Sequence, residues 1–181
     1  VKYMNTSAQK ALLDALSQHS AYLFRASTQY VNELIAQFNK LSDEQLTRLG
    51  KVFAEMSQSE LNALKSINFS SKAKSTKNIE EVKSILNVWF TSMSVDLNQV
   101  FEKSAIALSI YEASYCAQLI AGTAAVINAE KVYKTIRKTP FSGGQLVDYL
   151  FADISASLRK KVENVIRDGF SQGQTNQQII Q

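Results

Sequence analysis

Few residues in this chain of 181 have types suited to chemistry, and their spacing limits what they can do. There is one histidine, His19, and one cysteine, Cys116. A common zinc site needs three or four such ligands, so this pair builds none. A lone cysteine forms no internal disulfide, as expected of a protein made in a reducing compartment, and its predicted role is a buried, inert thiol. His19 lies one helical turn from Leu16 and from Leu23, on or beside an apolar stripe, which predicts packing or hydrogen bonding rather than catalysis. Glu80 and Glu81 are adjacent carboxylates, but at the start of a helix they read as first-turn residues favoured by the dipole rather than as an acid/base pair. The Gly143-Gly144 pair lacks both the GxxxxGK[ST] and the GxGxxG frame, so no phosphate cradle is predicted. The sequence therefore assigns no catalytic, cofactor-binding or metal-binding residue, and the expectation is a non-enzymatic protein.

Charge is more informative than reactivity. The net charge is +4, and the stretch from Leu61 to Ile79 carries Lys65, Lys72, Lys74 and Lys77 with no acid. That one stretch equals the whole excess. Its sequence over 68–78, NFSSKAKSTKN, is polar and without helical period, which predicts a mobile basic loop. Such a loop suits contact with DNA phosphates or an acidic partner, and a solvated lysine loop is the plainer alternative. A second cluster, Lys131, Lys134, Arg137 and Lys138, falls near a helix end, where positive charge favours the macrodipole. Neither cluster is interleaved with base-stacking aromatics, so sequence-specific RNA binding is not indicated.

The elements that must position these residues are helical. With one proline and six glycines, little interrupts helices, and the chain is rich in good helix formers. Leu12, Leu16, Leu23, Tyr30, Leu34, Phe38 and Leu41 form one stripe, predicting a helix from about Ser7 to Asn39. Ser42 with Gln45 predicts a cap and a new helix through Leu46, Leu49 and Phe53; Ser57 with Glu60 predicts another through Leu61 and Leu64. Asn78 with Glu81 predicts the start of the longest element, whose apolar residues from Val82 to Leu119 keep helical spacing up to Gly122. A helix of roughly forty residues spans about 60 Å, so the predicted fold is an all-α, elongated helical bundle with two long helices and a C-terminal group of short ones. From Ser104 to Ala129 the only charge is Glu112. The polar residues and alanines throughout that stretch favour close packing in a protein core over a membrane span.

Thr139 to Gln181 holds the only proline and four of the six glycines. Pro140 ends the preceding helix, Gly143-Gly144 permits a turn with positive φ, and Phe141 is predicted to plug a core. A short helix with Leu146, Val147, Leu150 and Phe151 should follow, then a longer one from about Ser155 carrying Leu158, Val162, Ile166 and Phe170. Gly169 and Gly173 flank its end, with Gly173 as a left-handed cap, and Thr175 with Gln178 opens a last helix. The chain stops there, it does not begin with Met, and VKYMNTSAQK has no secretory pattern. These features predict a fragment, a processed product or the ordered part of something longer. They divide the chain into a bundle over 1–138 and a Pro/Gly-punctuated segment over 139–181, truncated at its C-terminus.

The order Pro140-Phe141, Gly143-Gly144, Leu146, Leu150, then Leu158, Val162, Ile166, Gly169, Gly173, Thr175 and Ile179 resembles a pattern of the phage head-morphogenesis, or minor head (Mu-F-like), proteins: a "PF-G-L" turn followed by "I-G-GxT-I". The likeness covers about the last quarter of the chain. In that family an all-helical part precedes such a segment, and a further domain follows it. The resemblance implies a structural protein of the virion, made in the host cytoplasm and placed in the head interior or at the portal vertex. It also implies assembly in several copies with the portal or other head proteins, contact with packaged DNA, and passage toward the host at DNA ejection. Within it, Pro140, Phe141, Gly143, Gly144, Gly169 and Gly173 are structural pivots, and Lys65, Lys72, Lys74 and Lys77 are the contacts for DNA or an acidic partner. Two other classes are consistent with the composition. One is a membrane-active or delivery module of an ejection protein or toxin that enters a bilayer through the Ala-rich helix around Glu112, reaching membrane only after ejection. The other is a helical nucleic-acid-binding protein.

Overall fold

The computed structural model describes residues 7–122 and 126–181, and every regular element among them is a helix. In chain order these are α1 (Ser7–Glu55), α2 (Gln58–Leu64), α3 (Lys77–Ala121), α4 (Ala129–Lys138), α5 (Val147–Ser171) and α6 (Asn176–Ile180). The fold is all-α, with two long helices that pack together and shorter helices toward the C-terminus, as the periodicity predicts. Two compact units result. Unit 1 draws on Val1–Ile35 and Val100–Ile136, and unit 2 on Ala36–Gln99 and Arg137–Gln181. α1 and α3 each give a segment to both, so the division crosses the long helices, and 139–181 shares a unit with 36–99.

α1 runs through the predicted break at Ser42. Its inward face continues as Leu41, Gln45, Leu49 and Phe53, each one turn after the last, so burial carries the helix onward. Neither half of a capping box forms there. The Ser42 hydroxyl is buried without a hydrogen-bond partner among the described residues, and buried Gln45 accepts from Arg48 instead. The box at Ser57 does form: Ser57 Oγ accepts from the Glu60 N–H at 3.3 Å, and the Glu60 carboxylate accepts from the Ser57 N–H at 2.8 Å. α3 starts earlier than predicted, at Lys77. The Glu80 N–H donates to the Thr76 carbonyl, and Asn78 lies inside the first turn, where its Nδ2 donates to the Glu55 carbonyl and the Glu60 carboxylate. α3 ends where expected, with Gly122 at φ 64°.

The two helices predicted over 146–170 are one, α5. Ser155 lies mid-helix, buried, its hydroxyl donating to the Phe90 carbonyl, so it ties α5 to α3 rather than starting a helix. The far end follows the prediction closely. Gln174 N–H reaches back to the Gly169 carbonyl at 2.9 Å and Gly173 N–H to the Phe170 carbonyl at 3.2 Å, with Gly173 at φ 73°, which is the paired-bond glycine stop of a helix. Thr175 and Gln178 then make the second capping box.

The units differ in how much they bury. Unit 2 has a closed core in which Leu49, Phe53, Leu64, Ile85, Met93 and Val147 are almost fully shielded, and the Phe53 ring meets Phe170 edge-on at 5.2 Å. In unit 1 the described residues classed as buried are His19, Ser104 and Tyr133.

Candidate docking surfaces

In unit 1, α1 and α3 meet around His19. Its Nε2 donates to the Glu112 carboxylate at 2.7 Å, joining the chain's one histidine to the one charged residue of 104–129. The imidazole stacks on Tyr115 with ring centroids 3.6 Å apart and planes 3° from parallel, and Tyr111 lies 5.5 Å away with Tyr22 against it. Tyr115 Oη donates to the Ala15 carbonyl. Burial, then the nearby Tyr22, Tyr115 and Glu112, hold the Tyr111 hydroxyl above its ordinary pKa. The predicted packing and hydrogen-bonding role for His19 is what the geometry provides. Cys116 departs from expectation. It is exposed, with Sγ 3.9 Å from the Glu112 carboxylate, because one step along the helix from Tyr115 turns it about 100° away from α1.

Beyond this cluster the apolar surface of unit 1 is open. Phe24 is 76% exposed, Val31 and Ile35 each 52%, and Ile120, near the end of α3, 85%. Between α1 and α3 runs a groove of about 350 Å³ walled by Tyr30, Val31, Leu34, Phe101 and Leu108, with Ser27, Ser104, Ala105 and Ser109 supplying small side chains. It continues along Leu23 and Ala113 as far as Glu112. An uncharged groove with small residues in it accepts another helix at close range.

Unit 2 holds the four lysines of the first basic stretch. Lys65, Lys72, Lys74 and Lys77 are all exposed. Lys72 and Lys74 lie in the connection from α2 to α3, Lys77 opens α3, and Lys65 lines a cleft of about 600 Å³ with Gln58 and Asn62 of α2 and Gln174, Asn176 and Gln177 around α6. The connection has anchors that the polar sequence does not foretell. Phe69 is buried under the Arg167 guanidinium, which also donates to the Ile67 carbonyl. Lys83, buried on the inward face of α3, donates from Nζ to the Ser71 and Ala73 carbonyls and the Ser75 hydroxyl, and pairs with Glu80 at 3.0 Å. The loop is tied to the rest of unit 2 at 67, 69, 71, 73 and 75, while Lys72 and Lys74 between the anchors are exposed. Of the second basic cluster, Lys134 pairs with Glu130, and Arg137 pairs with Asp148, whose carboxyl is held below its ordinary pKa chiefly by that bond.

The predicted pivots divide by role. Gly143 and Gly144 take φ of 110° and 85°, closing a turn in which Gly144 N–H donates to the Phe141 carbonyl and Phe141 N–H to the Gln145 carbonyl. Pro140 is exposed just before it. The Phe141 ring is 40% exposed rather than plugging a core, because it is the backbone of this residue that the turn uses. Gly169 and Gly173 flank the end of α5 as predicted, Gly169 within its last turn, buried against Ile179 of α6, and Gly173 just beyond it. Gly50 of α1, which no motif singled out, approaches Ile180 in the same way.

Among the described residues no group of three or more His, Cys, Asp or Glu is placed to hold a metal ion, and no helix is long and apolar enough to cross a membrane. In comparisons with known proteins, no family model matches the chain, nor does any curated protein or solved structure.

Proposed function

We propose that this chain is a non-enzymatic structural component of a phage head, a minor head or portal-associated protein that works by docking to other virion proteins. The observation that carries the reading is the uncovered apolar surface of unit 1, where Phe24, Val31, Ile35, Leu119 and Ile120 stand 45–85% exposed around a groove with small residues in it. Exposed apolar surface of that extent marks an interaction site. The likeness of Pro140–Ile179 to the head-morphogenesis pattern supplies the kind of assembly, and the exposed lysines at 65, 72, 74 and 77 are suited to packaged DNA.

The test is retention of the purified chain on assembled portal rings of the phage that encodes it. Wild type is expected to be retained, and Leu119→Ser/Ile120→Ser to be retained several-fold less, with helix content unchanged. If the chain is not retained, or the double variant is retained equally, docking through this surface is wrong.

A further inference from the structure

α1 carries a second stripe beside its inward face. Leu16, Ser20, Phe24, Ser27, Val31 and Ile35 follow one another by 4, 4, 3, 4 and 4 residues, so they share one face of the helix, turned about 100° from the face that meets α3. None of the six is charged. All six are exposed, Phe24 by 76% and Leu16, the least exposed of its large members, by 40%. The stripe therefore forms a ridge immediately beside the α1/α3 groove, and one unit presents both the ridge and a groove suited to receive it.

We infer that this surface is covered by a second copy of the same chain, α1 against α1 in antiparallel sense, each ridge lying in the groove of the other. The inference rests on the reading of unit 1 as a docking surface and names its first occupant: what meets the rest of the head is a dimer.

The alternation of large and small residues selects a copy over an arbitrary partner. With the two-fold axis between Arg25 and Ala26, Phe24 of one copy meets Ser27 of the other, Val31 meets Ser20, and Leu16 meets Ile35. Each bulky side chain of the central turns falls on a serine, the pairing that lets two helices approach closely. The symmetry makes each contact occur twice, as an isologous interface requires. No like charges are opposed in this register. Arg25 meets Ala26, and Glu33 meets Gln18. The ridge, with its large members 40–76% exposed, and the half-buried groove walls Tyr30, Leu34, Phe101 and Leu108 together offer an area on the order of the ~800 Å² per partner that a standard stable interface buries.

Sedimentation equilibrium of the whole chain tests this. Wild type should be dimeric at low micromolar concentration, and Val31→Glu should weaken the dimer by roughly a hundredfold or more, as charge placed at the centre of an apolar interface does. Val31 is half-exposed in the single chain, and unchanged helical circular dichroism confirms that the variant folds. Independently, Ser27→Cys in a Cys116→Ser background should cross-link to dimer with a short bismaleimide. A wild-type chain that is monomeric at about 100 μM, where a standard-size interface is saturated, overturns the inference, as does a Val31→Glu dimer of unchanged affinity or a Ser27→Cys chain that does not cross-link. Monomeric chain still retained on portal rings removes self-association alone. A stable dimer that portal rings do not retain removes the portal reading alone.

Discussion

Gly169→Ala sets two known effects against each other. Gly169 is in helical conformation within α5, so alanine should by propensity stabilise the helix by about 1 kcal/mol. Its buried side faces α6, however. A Cβ there would lie 2.6 Å from Ile179 Cγ1 and 3.0 Å from both Ile179 Cδ1 and Gln174 Oε1. Gln174 can swing aside, but Ile179 is 7% exposed, and its five-residue helix is pinned by the glycine stop before it and the Thr175 box at its start. Relief then requires strain in the core, typically 1–3 kcal/mol, or withdrawal of Ile179 from it, which forfeits about 1.5–3 kcal/mol of burial. Either route outweighs the propensity gain and leaves unit 2 less stable by about 1–2 kcal/mol. Urea unfolding followed by fluorescence of Trp89, the only tryptophan and a buried residue of unit 2, reads this directly. Ile179→Ala removes the atoms that clash, so in that background Gly169→Ala should be neutral or stabilising, with a coupling between the two sites of about 2 kcal/mol. A stabilising Gly169→Ala in the wild-type chain, or the same cost in both backgrounds, would refute the account of α6 as a wedge seated in a glycine notch.

Two further outcomes follow from charged groups. The Glu60 carboxyl is pushed from an ordinary 4.5 down to about 2, first by the Thr76 hydroxyl and then by the Ser57 N–H that donate to it. Its folded pKa is depressed, so its contribution is present above about pH 4.5 and is lost as pH falls toward 2. The urea midpoint of wild type should therefore exceed that of Glu60→Gln at pH 6 and converge on it by about pH 2; a difference that does not change with pH would show that the charge is not what stabilises the box. In the DNA reading, replacing Lys72, Lys74 and Lys77 by Ala removes three phosphate contacts and should lower the slope of log affinity against log salt by about 2.7. Fluorescence anisotropy with duplex DNA measures it, and an unchanged slope excludes these lysines from the contact.

The sequence announced helices more reliably than their ends. Ser57-x-x-Glu60 and Thr175-x-x-Gln178 are both capping boxes, as written, but Ser42-x-x-Gln45 has the same letters and sits inside α1. What separates them is burial. Leu41, Gln45, Leu49 and Phe53 keep one face against the core through Ser42, whereas Ser57 and Thr175 stand where the apolar spacing pauses. Ser155 misled for the same reason, since a hydroxyl that looks like a cap can also serve a carbonyl on another helix. The glycines with positive φ were legible because a backbone requirement is local. Gly50 and Gly169 were not legible in their actual role, because they are defined by Ile180 and Ile179, residues more than a hundred positions away in the first case. The anchoring of the loop was hidden in one side chain, Lys83. A lysine among Val82, Ile85, Leu86 and Trp89 on an inward face needs acceptors, and the carbonyls at 71 and 73 with the hydroxyl at 75 are those acceptors.

The contrast between the units ties structure to role. Unit 2 closes a core of its own around Leu49, Phe53, Ile85 and Met93, and its buried Lys83 has four partners. Unit 1 sets the His19–Glu112 pair and the tyrosines around it between α1 and α3, and leaves Phe24, Val31, Ile35 and Ile120 in solvent. A specific hydrogen-bonded pair fixes the register of α1 on α3, because sliding either helix by one turn would strand a nearly buried imidazole. That register in turn sets Ser104, Ala105 and Ser109 beside Ser27 and shapes the groove. In unit 1 His19, Glu112, Tyr111 and Tyr115 lock α1 to α3, while Phe24, Val31, Ile35 and Ile120 face outward.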